Sequence, residues 1–91
     1  MAAAGMPERS RIHYNHGLLL AQLLEDDEAE AALRRALELE PDNFDYLYAL
    51  ADFLFKRDRF DDAMEMADRM IAAYPTRRVG HDIKAMIEIS R

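Results

Sequence analysis

Apolar side chains recur every three or four residues along most of this chain, the spacing that places them on one side of an α-helix. In the first such segment the recurring positions are Ile12, His16, Leu19, Leu20, Leu23 and Leu24. Further segments show the same spacing, and the last covers about residues 76–90. The pattern predicts an all-α fold of about five helices, each with one packed face.

Two prolines and one acidic run mark where helices end and begin. Pro41 and Pro75 each follow an apolar segment, and proline ends a helix because it lacks an amide hydrogen and restricts the residue before it. Residues 25–28 are all acidic. We interpret this run as a turn and the first turn of the second helix, where carboxylates are favourable near the positive end of the helix dipole, rather than as a metal site.

The sequence repeats itself at an interval of 34 residues. Identical residues at this interval include Tyr14 and Tyr48, Leu20 and Leu54, Ala29 and Ala63, and Pro41 and Pro75. The interval predicts residues 1–9 as an N-terminal extension, 10–43 as repeat one, 44–77 as repeat two, and 78–91 as a capping helix or partial third repeat.

A 34-residue pair of helices with small residues at two fixed places and a closing proline resembles the tetratricopeptide repeat. The small residues are Gly17 and Ala29 in repeat one, and Ala51 and Ala63 in repeat two. They allow the two helices of a pair to approach closely. The resemblance implies a right-handed α-solenoid of stacked antiparallel helix pairs. His13 and His16 depart from the pattern, because the family usually has large apolar residues at these two places.

The resemblance also implies a function, since the first helix of each such repeat lines a concave groove that holds a peptide or partner segment. The predicted groove residues are Arg11, Tyr14, Leu18, Gln22, Asp45, Tyr48, Asp52, Phe55 and Lys56. Tyrosine and phenylalanine are favoured in binding sites because they bury a large area. Tyr14 and Tyr48 have a second interpretation, in which they serve mainly to pack adjacent repeats, and Phe55 is the more selective indication of binding.

Self-association is the alternative function, either as a homodimer or as a structural repeat segment of a larger protein without its own peptide ligand. In this interpretation no preceding repeat covers the outer side of the first helix, so we expect apolar residues there to contact water. Met86 and Ile89 lie beside the packed side of the last helix and form the predicted oligomer surface. A two-fold dimer or a longer chain would cover both surfaces.

Composition and charge exclude several other classes. The net charge of −6 argues against nucleic acid or an anionic membrane as partner, and favours a ligand with basic character. The longest apolar run is far too short to span a membrane, which predicts a cytoplasmic protein. There is no cysteine, no glycine-rich phosphate loop and no serine beside a base, so we expect no cofactor and no enzymatic activity. His13 and His16 lack a third metal ligand, and we expect no metal site.

Overall fold

The computed structural model describes the backbone of residues 2–91 and the side chains of residues 9–91. This part of the chain forms five α-helices and no strand, which confirms the predicted all-α class. The helices are α1 (Ala2–Gln22), α2 (Asp26–Leu39), α3 (Phe44–Lys56), α4 (Phe60–Ala73) and α5 (Val79–Ser90). Helix α1 begins before residue 10, the predicted start of repeat one. Met1 of the predicted N-terminal extension lies outside the described residues.

The helices group into two compact units, Met1–Tyr46 and Leu47–Arg91. The first unit contains α1, α2 and the opening turn of α3. The second contains the remainder of α3 together with α4 and α5. Neighbouring helices pack against each other in each unit, α1 with α2 and α4 with α5.

In the first unit, a glycine of α1 lies where this helix approaches α2 closely. A Cβ atom on Gly17 would lie 2.8 Å from Cγ of Leu33, which is closer than two carbon atoms can approach. Leu33 is itself fully buried, and so is Ala29 one turn earlier on α2. The predicted close approach of the two helices is therefore confirmed at Gly17.

The second unit has a core of aliphatic and small side chains. Its fully buried residues are Leu47, Leu50, Ala51, Leu54, Ala63, Met66, Ala67, Met70 and Ile87. Gly80 lets α5 approach α4, because a Cβ atom there would lie 2.7 Å from Cγ1 of Ile71 and 3.2 Å from the carbonyl oxygen of Ala67. Two ion pairs join the same helices, Lys84 with Asp68 at 3.0 Å and Arg91 with Asp61 at 3.2 Å.

The turns after α1 and α3 use the same pair of backbone hydrogen bonds. After α1, the amide of Glu25 donates to the carbonyl of Leu20 at 2.9 Å, and the amide of Leu24 donates to Ala21 at 3.1 Å. Thirty-four residues later, Arg59 donates to Leu54 at 2.9 Å and Asp58 donates to Phe55 at 3.0 Å. Such bonds satisfy carbonyls that a helix leaves unpaired at its C-terminal end. The sequence repeat is thus matched by a repeat of backbone geometry.

The residues predicted to form the packed face of the first helix are mostly exposed, so this prediction is wrong for all of them except Leu20. Among residues 9–22, whose side chains the structure describes, the buried ones are Ser10, Gly17 and Leu20, whereas Ile12 and Leu19 are 66% and 53% exposed, and Leu23 is 61% exposed. His16 and Leu24 are exposed too, and α1 ends at Gln22, so that Leu23 and Leu24 lie in the following turn. At about 100° per residue, the aliphatic stripe and the buried side are roughly 130° apart. The close approach of Gly17 to Leu33 fixes the rotation of α1 and leaves the stripe facing away from α2.

Helix α5 begins at Val79, three residues later than the predicted start at residue 76. The amide of Arg77 donates to the carbonyl of Tyr74 at 3.0 Å, so the residues after Pro75 form a turn before the helix begins. Asp82 in the first turn of α5 lies near the positive end of the helix dipole. The apolar face predicted for this helix packs through Ile83 and Ile87.

Candidate protein-binding surface

Four predicted groove residues follow one side of α1 at intervals of three and four residues. They are Arg11, Tyr14, Leu18 and Gln22. Arg11, Leu18 and Gln22 are exposed, and Tyr14 is half-buried. This side of the helix offers one cation, one aromatic ring, one aliphatic side chain and one amide to solvent, so it can form both apolar and polar contacts with a peptide.

Tyr14 also packs inside its own unit. Its ring centroid lies 4.9 Å from that of Tyr46, with the two ring planes inclined by 34°. Burial raises the pKa of the Tyr14 phenol, and the carboxylate of Asp45 raises this pKa further. The hydroxyl therefore stays protonated at neutral pH. Tyr14 thus makes a packing contact with a residue of repeat two, as its second interpretation predicts.

A buried polar network lies beside this aromatic pair. The Ser10 hydroxyl is fully buried, donates a hydrogen bond to the Glu40 carboxylate, and lies 3.0 Å from the hydroxyl of Tyr46. Since the Ser10 hydrogen is used on Glu40, Tyr46 donates to Ser10. Asn43 completes the network: its amide nitrogen donates to Glu40 at 3.2 Å, and its side-chain oxygen accepts from the Tyr46 backbone at 3.1 Å. The network ties α1 to the end of α2 and the start of α3.

Sequence reasoning missed this network. Three of its members, Ser10, Glu40 and Asn43, are of residue types that usually face solvent. The repeat gives no help, because Phe44 stands 34 residues after Ser10 and Gly80 stands 34 residues after Tyr46. The one available signal is that Asn43 precedes α3, since asparagine commonly bonds the backbone at a helix start.

The other predicted groove residues lie on α3. They are Asp45, Tyr48, Asp52, Phe55 and Lys56. Tyr48 is 46% exposed, and Asp45 and Lys56 are exposed as well. Asp52 forms an ion pair with Lys56 one turn further along the helix, with 3.1 Å between the carboxylate oxygen and the ammonium nitrogen. Tyr48 is therefore the largest apolar group that this side of α3 presents to solvent.

Phe55 has a packing contact of its own. Its ring centroid lies 5.8 Å from that of Phe60 at the start of α4, with the planes inclined by 58°. Tilted aromatic pairs at this distance contribute about 0.5–1.5 kcal/mol beyond the area that they bury. Phe55 is half-buried, so part of its ring supports the α3–α4 turn and the remaining part is available to a ligand.

The predicted groove residues are divided between the two units. Arg11, Tyr14, Leu18, Gln22 and Asp45 belong to the first unit, and Tyr48, Asp52, Phe55 and Lys56 to the second. None of the nine is buried. Their assignment to a groove stays a prediction from the family resemblance.

The predicted oligomer surface is also exposed. On α5, Met86 is 47% and Ile89 84% accessible. Of the paired histidines, His13 is half-buried and His16 is exposed. Within the described part of the chain, no three histidine or acidic residues cluster as a metal ion would require. Among the described helices, none combines the length and apolar character that crossing a membrane demands.

Comparison with known protein families gives two matches. Residues 27–87, more than half of the chain, match a family described as a tetratricopeptide repeat, and residues 10–43 match a second family of the same description. A search of curated proteins finds no match. Tetratricopeptide repeats are generally protein-interaction modules and typically non-catalytic scaffolds. The turns that follow α1 and α3 have the same backbone hydrogen bonds 34 residues apart, and a family model matches most of the chain. The chain therefore belongs to the tetratricopeptide-repeat family.

Proposed function

We propose that this chain is a protein-interaction module that holds a peptide or partner segment in the groove expected along the first helices of its repeats. The observation that supports this most is the exposure of Tyr48 on α3. An exposed aromatic ring on a rigid helix can bury a large area against a ligand at little cost in conformational entropy. We propose no catalytic activity, and a cytoplasmic location stays a prediction.

The charges near Tyr48 indicate the chemistry of the ligand. Asp45 lies three residues before Tyr48 and Asp52 four residues after it, on the same side of α3. Asp52 is paired with Lys56 at 3.1 Å, so Asp45 is the carboxylate that a cation stacked on the ring would pair with. A guanidinium or ammonium group can stack on a tyrosine ring while it pairs with a neighbouring carboxylate. The net charge of −6 attracts cations over a longer range. We therefore infer a ligand with basic residues.

Selection from a random peptide library on the immobilised 91-residue chain tests this function. We expect enrichment of peptides that contain arginine or lysine. The Kd of a selected peptide, measured by fluorescence anisotropy, should rise about 10- to 30-fold in Tyr48→Ala, the effect of removing a binding hot spot. Phe55→Ala should weaken binding by less, because part of its ring packs on Phe60.

Tyr74→Ala is the matched control, since it makes the same substitution after the end of α4, away from the predicted groove. It should leave the Kd unchanged. Circular dichroism melts would verify that each variant is folded. If folded Tyr48→Ala and Phe55→Ala proteins both bind the peptide as tightly as the wild type, the ligand does not use this surface and the proposal is wrong.

Self-association is a second candidate function. The observation that favours it is the exposure of apolar side chains in both units. In the first unit these are Ile12 and Leu19 on α1 and Leu23 in the turn after it, and in the second they are Met86 and Ile89 on α5. Exposed apolar stripes of this kind mark surfaces that bind other proteins.

A further inference from the structure

Two predicted groove residues from different repeats lie close together in the first unit. Tyr14 is on α1 in repeat one, and Asp45 is in the first turn of α3 at the start of repeat two. The ring of Tyr14 packs at 4.9 Å on the ring of Tyr46, the residue that directly follows Asp45. The Asp45 carboxylate also raises the pKa of the Tyr14 phenol, because a nearby negative charge disfavours the phenolate. The fold thus brings an aromatic ring and a carboxylate together.

The carboxylate of this pair is open to solvent. Asp45 is exposed, and Tyr14 is half-buried, so part of the Tyr14 ring remains accessible beside the part that Tyr46 covers. Within the described chain, the Asp45 side chain forms no hydrogen bond and no ion pair. Arg11, one turn before Tyr14 on α1, is exposed and does not pair with Asp45. The carboxylate is therefore available to a ligand.

The buried polar network holds this pair in place before a ligand binds. The Tyr46 hydroxyl lies 3.0 Å from the hydroxyl of Ser10, and the Tyr46 backbone amide donates to the Asn43 side chain at 3.1 Å. The second bond caps the start of α3, the turn that carries Asp45. Tyr46 in turn fixes one side of the Tyr14 ring. A site that is already ordered binds more tightly, because less conformational entropy is lost on binding.

The charges on both helices favour a cation at this place, and the shape of the pair favours arginine. Arg11 stands three residues before Tyr14 and Asp42 three residues before Asp45, and these two flanking side chains carry opposite charges. Asp45 therefore determines the sign of the ligand. A guanidinium is planar, so it can stack on an aromatic ring while two of its N–H groups pair with one carboxylate. An ammonium group lacks this planar shape.

We propose that Tyr14 and Asp45 bind an arginine side chain of the partner, with its guanidinium paired to the Asp45 carboxylate and stacked on the accessible part of the Tyr14 ring. This inference rests on the proposed function and names the ligand group that this part of the groove takes. The proposed function already gives Asp45 the role of pairing a ligand cation, and the first unit adds a ring that is held in place by its own packing.

Two small probes test the site without a selected peptide. N-acetyl-argininamide carries the guanidinium, and N-acetyl-citrullinamide carries a urea of the same shape without the charge. In NMR titrations of the isotope-labelled chain, the arginine probe should shift the amide signals of Tyr14 and Asp45 in a saturable way, and the citrulline probe should not. The bound guanidinium should also lower the pKa of the Tyr14 phenol, because a positive charge stabilises the phenolate. The ¹³C shift of Tyr14 Cζ measures this pKa, and Tyr14→Phe assigns the signal.

Asp45→Asn should raise the Kd of the arginine probe about fivefold, the effect of losing one solvent-accessible ion pair. Asp61→Asn is the matched control, because Asp61 is an exposed aspartate in the first turn of α4, a helix without predicted groove residues. It makes the same change in net charge and should leave this Kd unchanged. Circular dichroism verifies that both variants are folded.

Three results would each overturn the arginine site: no binding of the arginine probe, equal binding of the citrulline probe, or an unchanged Kd in Asp45→Asn. None of them decides the proposed function, because the effect of Tyr48→Ala on a library peptide measures groove binding separately. If Tyr48→Ala weakens that peptide while Asp45→Asn leaves both ligands unaffected, the interaction module stands and the arginine site is wrong.

Discussion

Leu24 and Asp58 stand at the same place in the two turns and share a φ of 63°, a left-handed backbone conformation. They are the two non-glycine residues with positive φ in the described chain. Aspartate tolerates this conformation because its short side chain can bond nearby backbone, whereas leucine has no such compensation. The left-handed position is therefore less favourable with Leu24 in the first repeat than with Asp58 in the second.

Leu24→Asn should stabilise the protein. Asparagine adopts the left-handed conformation more readily than leucine does, and Leu24 is 78% exposed, so the substitution removes little buried surface. We expect the free energy of unfolding to rise by about 0.5–1 kcal/mol in urea denaturation. Asp58→Asn is the control and should change stability by less than about 0.5 kcal/mol. No gain in Leu24→Asn would show that the turn is not strained.

Gly17→Ala should destabilise the protein even though alanine is the better helix former. The added Cβ would lie 2.8 Å from Cγ of Leu33 and 3.2 Å from its backbone nitrogen. Overpacking in a core costs about 1–3 kcal/mol, which outweighs the gain in helix propensity of about 1 kcal/mol. The free energy of unfolding should therefore fall by about 1 kcal/mol.

The Leu33→Ala background provides the control for this prediction, because it removes the side chain that the new methyl group would meet. There, Gly17→Ala should become neutral or stabilising. A Gly17→Ala substitution with the same effect in both backgrounds would contradict the close contact between α1 and α2.

Ser10→Ala should cost about 1–3 kcal/mol of stability, because it removes the hydrogen-bond partner of both Glu40 and Tyr46. Tyr46→Phe removes one bond of the same network and should cost less. In a double-mutant cycle the two effects should not add, since both variants lose the bond between Ser10 and Tyr46. Additive losses in thermal or urea unfolding would mean that the two hydroxyls do not interact.

The raised pKa of Tyr14 predicts a loss of stability in alkaline solution. The folded protein holds this proton more tightly than the unfolded chain does, so the contribution is complete below the usual phenol pKa of about 10 and is lost as the pH rises above it. Tyr14→Phe should therefore lose less stability than the wild type between about pH 9 and about pH 11. Equal losses in the two proteins would show that Tyr14 titrates normally when folded.

The repeat could be predicted from the sequence, but the side of the first helix that packs against α2 could not. Proline positions, the 34-residue interval and the small residues such as Gly17 predict the helix pairs, because each acts through local geometry. The aliphatic stripe at Ile12 has the same spacing as a packed face, so periodicity alone assigns it to the core. What distinguishes the two sides is the contact of Gly17 with Leu33, which is a tertiary relationship.

The candidate binding surface is predictable in a similarly limited way. The resemblance identifies positions such as Tyr48 that are expected to line the groove, and none of the predicted positions is buried. It does not reveal that Tyr14 packs on Tyr46 or that Phe55 packs on Phe60. Those contacts depend on residues outside the repeat pattern, so the balance between packing and binding at each aromatic position requires the structure.

The most direct test of the proposed function is an NMR titration of the isotope-labelled chain with the tightest peptide from the library. Backbone amide shifts should change most at groove positions on α1 and α3, among them Arg11, Leu18, Tyr48 and Asp52. Amides on α2 and α4, which carry none of the predicted groove residues, should shift little. Shifts confined to α2, α4 or α5 would contradict the account, because the peptide would then bind a surface other than the one that the repeat presents.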